Sequence, residues 1–183
     1  MKTFPIIAAL LLVGCGSTAT PGANAGNGTS DAAAGGIKPP SDWNALDACA
    51  AVNKAAMTTI LGKQVTATTL ALVNESDGTT AATSECTYTL GDGGTASLMM
   101  RWSPINDNTE GSINLTRNTL QQTVKAFGGS VETIESLGKA AFWTGKTNSL
   151  NVYIGEDKFL IVNTPSGPDA KAQAVAVAKK LGA

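Results

Sequence analysis

The sequence predicts a single α+β domain over residues 41–183, a mainly antiparallel sheet carrying three helices. Three observations predict it. Cys86, Tyr88 and Leu90 alternate with Thr87 and Thr89, and after Gly91–Gly94 the residues Ala96, Leu98, Met100 and Trp102 alternate with Ser97, Met99 and Arg101. That is a hairpin with one face toward a core. Three other stretches repeat their apolar residues at helical spacing. The strands are separated by short turns, which favours antiparallel pairing and a layered fold. The expected order is α-βββ-α-βββ(β)-α, and residues 41–183 suffice for one domain.

The first helix is expected to start at Asp47 as N-cap and to stop at Gly62, with Cys49, Val52, Ala56 and Ile60 on its apolar stripe. Val65 to Val73 is rich in Thr and β-branched residues and reads as a strand. Ile113, Leu120, Val124 and Phe127 mark a second helix ended by Gly128-Gly129. A second strand group covers Val131–Ser136, Ala141–Thr144, Leu150–Gly155 and Phe159–Thr164, with Leu150, Val152 and Ile154 alternating. Pro165–Pro168 breaks the chain before an alanine-rich helix with Ala170, Ala174, Val177, Ala178 and Leu181 inward. The segments 86–100 and 141–154 both read aromatic, Thr, glycine-containing turn, alternating strand, which raises an internal duplication.

Ahead of this domain stand Met1-Lys2, an apolar run from Phe4 to Val13, and Leu12-Val13-Gly14-Cys15. A positive start, a short apolar region and a small-residue ending have the layout of an export signal, here residues 1–14. The Leu-x-Gly-Cys ending resembles a bacterial lipobox, which implies lipidation of Cys15 by acyl chains such as palmitate. The run is too short to span a bilayer, which takes about 20 helical residues. From Cys15 to residue 40 Gly, Ala, Ser, Thr, Asn and Pro dominate, with Ile37 the one sizeable apolar residue. Such a tract is expected to be a disordered tether, with an r.m.s. span of roughly 25–30 Å. Gly16, rather than Asp, follows Cys15. In a Gram-negative envelope that favours the outer membrane. The expected address is the cell envelope, facing the periplasm or the exterior.

Composition removes several functions. Without Lys2 the chain has 12 basic and 14 acidic residues, a side-chain charge of −2. That lacks the basic face a nucleic-acid partner requires. There is no histidine, the commonest general base and metal ligand. With Cys15 lipidated, Cys49 and Cys86 have one possible pairing. In an oxidising compartment, a bridge closing roughly 38 residues contributes about 4 kcal/mol in the chain-entropy model. Both residues lie on core-facing phases of helix and strand, which favours the bridge over two buried free thiols.

The chemical motifs are weak. Ala140-Ala-Phe-Trp-Thr-Gly145-Lys146-Thr147 fits a loose phosphate-loop pattern. That mechanism needs small residues and a following helix. Here Phe142 and Trp143 fill the loop and a strand follows, so a hairpin turn is expected. Asn106–Gly111 looks like half of a calcium loop, but its first residue is Asn and Arg117 stands where a bidentate Glu belongs. A loop capping the second helix is expected instead. A serine nucleophile would lack a histidine base, and no S-x-x-K spacing supports Lys54, Lys125 or Lys146 as one. Glu75, Glu85, Glu132 and Glu135 read as solvated faces. Trp102 and Trp143 follow core phases, and Trp43 is placed to cover the core edge. No catalytic, cofactor or metal residue is expected.

Asp47-Ala-Cys49-Ala-Ala-Val52-Asn-Lys54-Ala, the closing Ile60-Leu61-Gly62-Lys63, and Cys86-Thr-Tyr88 resemble a group of small bacterial lipoproteins of unknown function. Ile134 to Trp143 is similar to that group's Leu-Gly-x-x-Ala-Phe/Tyr step, and Asp169 to Leu181 to its closing helix. The layout is similar to PsbP-like folds and extracytoplasmic sensor modules. The resemblance covers most of residues 43–182 and brings no catalytic residues. It implies a lipid-anchored, non-enzymatic binding or interaction domain of the envelope, for a small molecule, a lipid or an envelope protein. The alternative is a structural or assembly accessory of an envelope complex. An apolar cleft would favour the first, and an exposed apolar patch the second.

Overall fold

Two N-caps, not one, open the folded part. Asp47 accepts from Ala50 N at 2.9 Å and starts α1 (Ala48–Ala51), while Asn53 accepts from Ala56 N at 2.9 Å and starts α2 (Lys54–Leu61). The expected single helix is therefore broken at Val52, which is extended at φ −127°. Asn competes well for a cap, and the hydroxyl of Tyr88 donates to the carbonyl of Val52 at 2.6 Å, fixing the break from below. The buried stripe shifts accordingly to Ala48, Val52, Met57 and Leu61 rather than Cys49, Ala56 and Ile60. Gly62 ends α2 with φ +63°, as its position implied.

The computed structural model describes residues 38–183. The export signal 1–14, Cys15 and nearly all of the tether lie outside the described residues. Seven strands follow the first helices: β1 (Val65–Asn74), β2 (Ala82–Leu90), β3 (Thr95–Trp102), β4 (Val131–Thr133), β5 (Ala140–Thr144), β6 (Ser149–Ile154) and β7 (Lys158–Asn163). They form one antiparallel sheet in the order β1-β2-β3-β7-β6-β5-β4. α3 (Glu110–Lys125) links β3 to β4, and α4 (Ala170–Lys180) closes the chain. The fold is thus α+β and mainly antiparallel, with one helix more than expected. Phe127, placed by its spacing on the second helix, lies beyond the end of α3 and is 71% exposed. β4 is only three residues long and does not reach Ser136, whose φ is +60°.

One face of the sheet carries the main core. Tyr88, Leu98, Met100, Val152, Leu160 and Val162 point to it, and α1, α2 and α4 cover it with Val52, Met57, Leu61, Ala174 and Val177. Trp43, Trp102 and Trp143 all join this core. Trp43 Nε1 also donates to the carbonyl of Arg101 at 3.1 Å. α3 lies on the opposite face. There Ile113, Phe142 and Tyr153 form a second, smaller cluster with Leu120, Val131 and Phe159 packed round it. Leu150, Val152 and Ile154 alternate inward as expected, but the residues between them, Asn151 and Tyr153, are buried too, because α3 covers them.

The resemblance between segments 86–100 and 141–154 extends to position: the hairpins β2-β3 and β5-β6 stand on either side of the central β7, each with its second strand next to it. It does not extend to the helices, since α2 and α3 precede their strand groups on opposite faces.

Candidate functional site

On the α3 face the sheet is half covered. One row across it reads Ala71, Glu85, Met99, Ile161, Asn151 and Phe142, each opposite the next. Phe142 and Asn151 are buried beneath α3, Ile161, Met99 and Glu85 are half-buried, and Ala71 is exposed. The neighbouring row runs Thr69, Thr87, Ser97, Asn163, with Asn163 Nδ2 donating to Ser97 Oγ at 2.9 Å. The open half is thus a threonine-rich shelf with an apolar step of Met99 and Ile161 at the foot of α3. β-branched Thr stabilises such strands while keeping a hydroxyl toward solvent.

Where α3 meets the shelf there is a cleft of about 230 Å³ lined by Arg101, Asp107, Asn108, Ser112, Thr116, Tyr153 and Phe159. Arg101 faces it because outward positions of β3 alternate with the core set. Its guanidinium forms a two-pronged pair with Asp107, Nη1 to Oδ1 at 3.0 Å and Nη2 to Oδ2. That pairing holds the Asp107 carboxyl below the usual carboxylate range. Tyr153 donates its hydroxyl to Thr116 Oγ1 at 2.7 Å, and its ring lies 4.6 Å from that of Phe159.

The cleft's rim is fastened from two sides. Thr109 caps α3, accepting from Ser112 N, and Ser112 Oγ donates to the carbonyl of Asp107 at 2.7 Å. Asn108 Nδ2 donates to the carbonyl of Lys158 at 2.8 Å, and Lys139 Nζ joins the Asn108 carbonyl to the Glu156 carboxylate. Trp102 Nε1 donates to Asp157 at 2.9 Å. The loop Asn106–Gly111 is therefore the helix-capping loop its sequence implied. Both oxygens of Asp107 are taken by Arg101, and Asn108 acts as a donor, so the loop does not present a calcium ligand set. Among the described residues no group of three His, Cys, Asp or Glu side chains could hold a metal ion.

The other marked residues lie apart from the cleft. Cys49 and Cys86 are joined in a disulfide, with Cα atoms 4.9 Å apart, on the opposite, helix-covered face. Lys146 is exposed in the turn between β5 and β6, with strand on both sides and no helix after it. Lys54 donates to the carbonyl of Thr66 at 2.7 Å, and Lys125 ends α3. Glu132 pairs with Lys171 at 2.9 Å; Glu75 and Glu135 are exposed. Sequence reasoning missed the Arg101–Asp107 pair and Tyr153. Arg101 as the lone charge in the run Ser97–Trp102 was the available signal. Ser112 and Tyr153 already donate their hydroxyls to the Asp107 carbonyl and to Thr116 Oγ1, and the Arg101 guanidinium is paired with Asp107. No helix among the described residues is long and apolar enough to cross a membrane. No protein-family model, curated protein or solved structure matches the chain.

Proposed function

We propose that this chain is a lipid-anchored, extracytoplasmic, non-enzymatic binding domain that takes its partner on the open half of the sheet beside α3. The observation that carries the binding part is the half-covered face. α3 shields β4, β5 and β6 but leaves Thr69, Thr87, Ser97 and Met99 available. Uncovered sheet beside a helix is a natural seat for an extended peptide or a flat protein surface. The anchoring part rests on Leu12–Cys15 and on the small-residue tract after it.

A photo-crosslinking amino acid tests the binding part. Placed at Thr87 on the shelf of the full chain in cells, it is expected to give a discrete adduct. Placed at Thr59, exposed on α2 across the molecule, it is expected to give none. Equal labelling at both positions, or none at Thr87, refutes the reading. Mass spectrometry of the exported protein tests the anchor: Cys15→Ser is expected to remove the acyl mass and release the protein from membranes.

The accessory reading has one observation of its own. Leu115 and Phe127 are 68% and 71% exposed on and just after α3. Replacing both by Ser is expected to leave the Thr87 adduct intact; its loss would move the partner from the shelf to α3.

A further inference from the structure

The two edges of the sheet are managed differently. At one edge β4 is three residues long, and its Glu132 is tied to Lys171 of α4. Short length and charge are the usual protections against edge-to-edge pairing. At the other edge β1 is ten residues long and contains neither charge nor proline. Among the described residues it pairs with β2 alone. Register shifts fall at Thr66 and Val73, so Ala67–Leu72 is a regular, unprotected run of six residues. In its middle Leu70 is 43% exposed.

We infer that the β1 edge pairs with the β1 edge of a second copy of this chain, antiparallel, with Leu70 opposite Leu70. Direction follows from charge. Lys54 reaches over the start of the strand and donates to the Thr66 carbonyl, and among the described residues no carboxylate pairs with it. Glu75 follows the strand's last residue and is exposed. In an antiparallel pair centred on Leu70, the partner's Asn74 comes opposite Thr66. Each Lys54 then meets the partner's Glu75, twice by symmetry. A parallel pair would put like charges together. Centring on one residue matches side chains of the same face, so the two sheets continue into each other with their helix-covered sides together. This stands whether or not the shelf binds a partner.

Within the regular run, pairing centred on Leu70 joins the five residues Thr68–Leu72 of each copy, which bury less than the roughly 800 Å² per partner of a standard interface, so the dimer is a weak one. Sedimentation equilibrium of the full chain in density-matched detergent tests it. The wild type is expected to dimerise below about 100 µM, and Leu70→Lys, which puts charge on the edge, to be monomeric. Lys54→Glu alone is expected to weaken the dimer about tenfold, and Lys54→Glu combined with Glu75→Lys to restore it to within about twofold. Circular dichroism of each variant keeps misfolding distinct from loss of pairing. A wild type monomeric at every concentration overturns the inference. So does a dimer indifferent to Leu70→Lys, or a double charge swap that fails to restore. An edge occupied by the chain's own residues 1–37, or by an extended peptide carried through purification, would appear as a monomer and count against it.

Discussion

The two halves of the sheet are built on different plans. In the β1–β3 half only one face is covered, and β2 runs buried, half-buried, buried along its whole length from Ala82 to Leu90. In the β4–β7 half helices lie on both faces, and β6 has four buried residues in succession, Leu150 to Tyr153. The strands of both halves pair antiparallel, and those of the β1–β3 half are the longer; the difference in burial is α3. One-sided cover demands alternation, and two-sided cover removes it. The one-sided half has the disulfide, and the two-sided half has the second apolar cluster. Each half thus has a reinforcement the other lacks.

A single row of the sheet contains both kinds of cover. Phe142 and Glu85 lie on the same face in one row, the first beneath α3 and the second on the shelf. Phe142→Ala empties a buried ring's volume and is expected to cost about 3–5 kcal/mol. Glu85→Ala removes a half-solvated side chain and is expected to stay within about 0.5 kcal/mol. Urea unfolding of both variants measures the contrast. Similar costs would mean that the shelf is as well packed as the covered side.

Removing the bridge addresses the other half. The pair Cys49→Ala with Cys86→Ala releases a loop with a sequence separation of 37. The chain-entropy estimate is about 4 kcal/mol. The expected loss is somewhat less, because the core face around Cys86 stays packed. A loss under about 1 kcal/mol would show that the one-sided half holds without its staple.

Next in size comes Tyr88, which ties the helix break to β2. Tyr88→Phe leaves the Val52 carbonyl without its donor in the core, at a cost of about 1–3 kcal/mol. It also has a pH signature. Burial first, and the Asp47 carboxylate second, push the Tyr88 hydroxyl well above its ordinary value. The unfolded chain ionises this group near pH 10 while the folded chain keeps it neutral. The unfolded state therefore binds fewer protons there, and stability falls as pH rises above about 10. The Phe variant is expected to lose that alkaline fall. An unchanged alkaline limb would place the titration elsewhere.

The halves also differ in how much of them could be read in the sequence. In the one-sided half, the hairpin of residues 86–102, its inward set and the Cys49–Cys86 pairing were all legible, because solvent on one face writes period two into the residues. The helix break was not, since Asn53 looks like an ordinary helical residue until Tyr88, 35 positions later, takes the Val52 carbonyl. In the two-sided half the strands were found, but Asn151 and Tyr153 read as outward. Nothing local says that a helix from residues 110–125 returns to cover them. The cleft was the least legible feature. Arg101, Asp107, Thr116 and Tyr153 come from β3, a loop, α3 and β6, and only the register of the sheet brings them together.

The smallest expected effect lies on the seam between the halves, at Arg101 and Asp107. Their side chains are 26% and 35% exposed, so water and salt weaken the attraction. Asp107→Asn keeps the shape and removes the charge, and is expected to cost about 0.5–1 kcal/mol at neutral pH. The sign with pH is fixed by the direction of the shift. Arg101 holds the Asp107 carboxyl below its ordinary value, so in acid the unfolded chain takes up this proton first. The contribution is full above about pH 4 and fades as pH falls below it. The Asn variant is accordingly expected to converge on the wild type as pH drops toward 2, and added salt to narrow the gap at pH 7. A cost of several kcal/mol that persists in acid would mean that the seam holds α3 to the sheet through packing around Asp107 rather than through its charge. The two halves would then be one cooperative unit at this point instead of two reinforcements meeting.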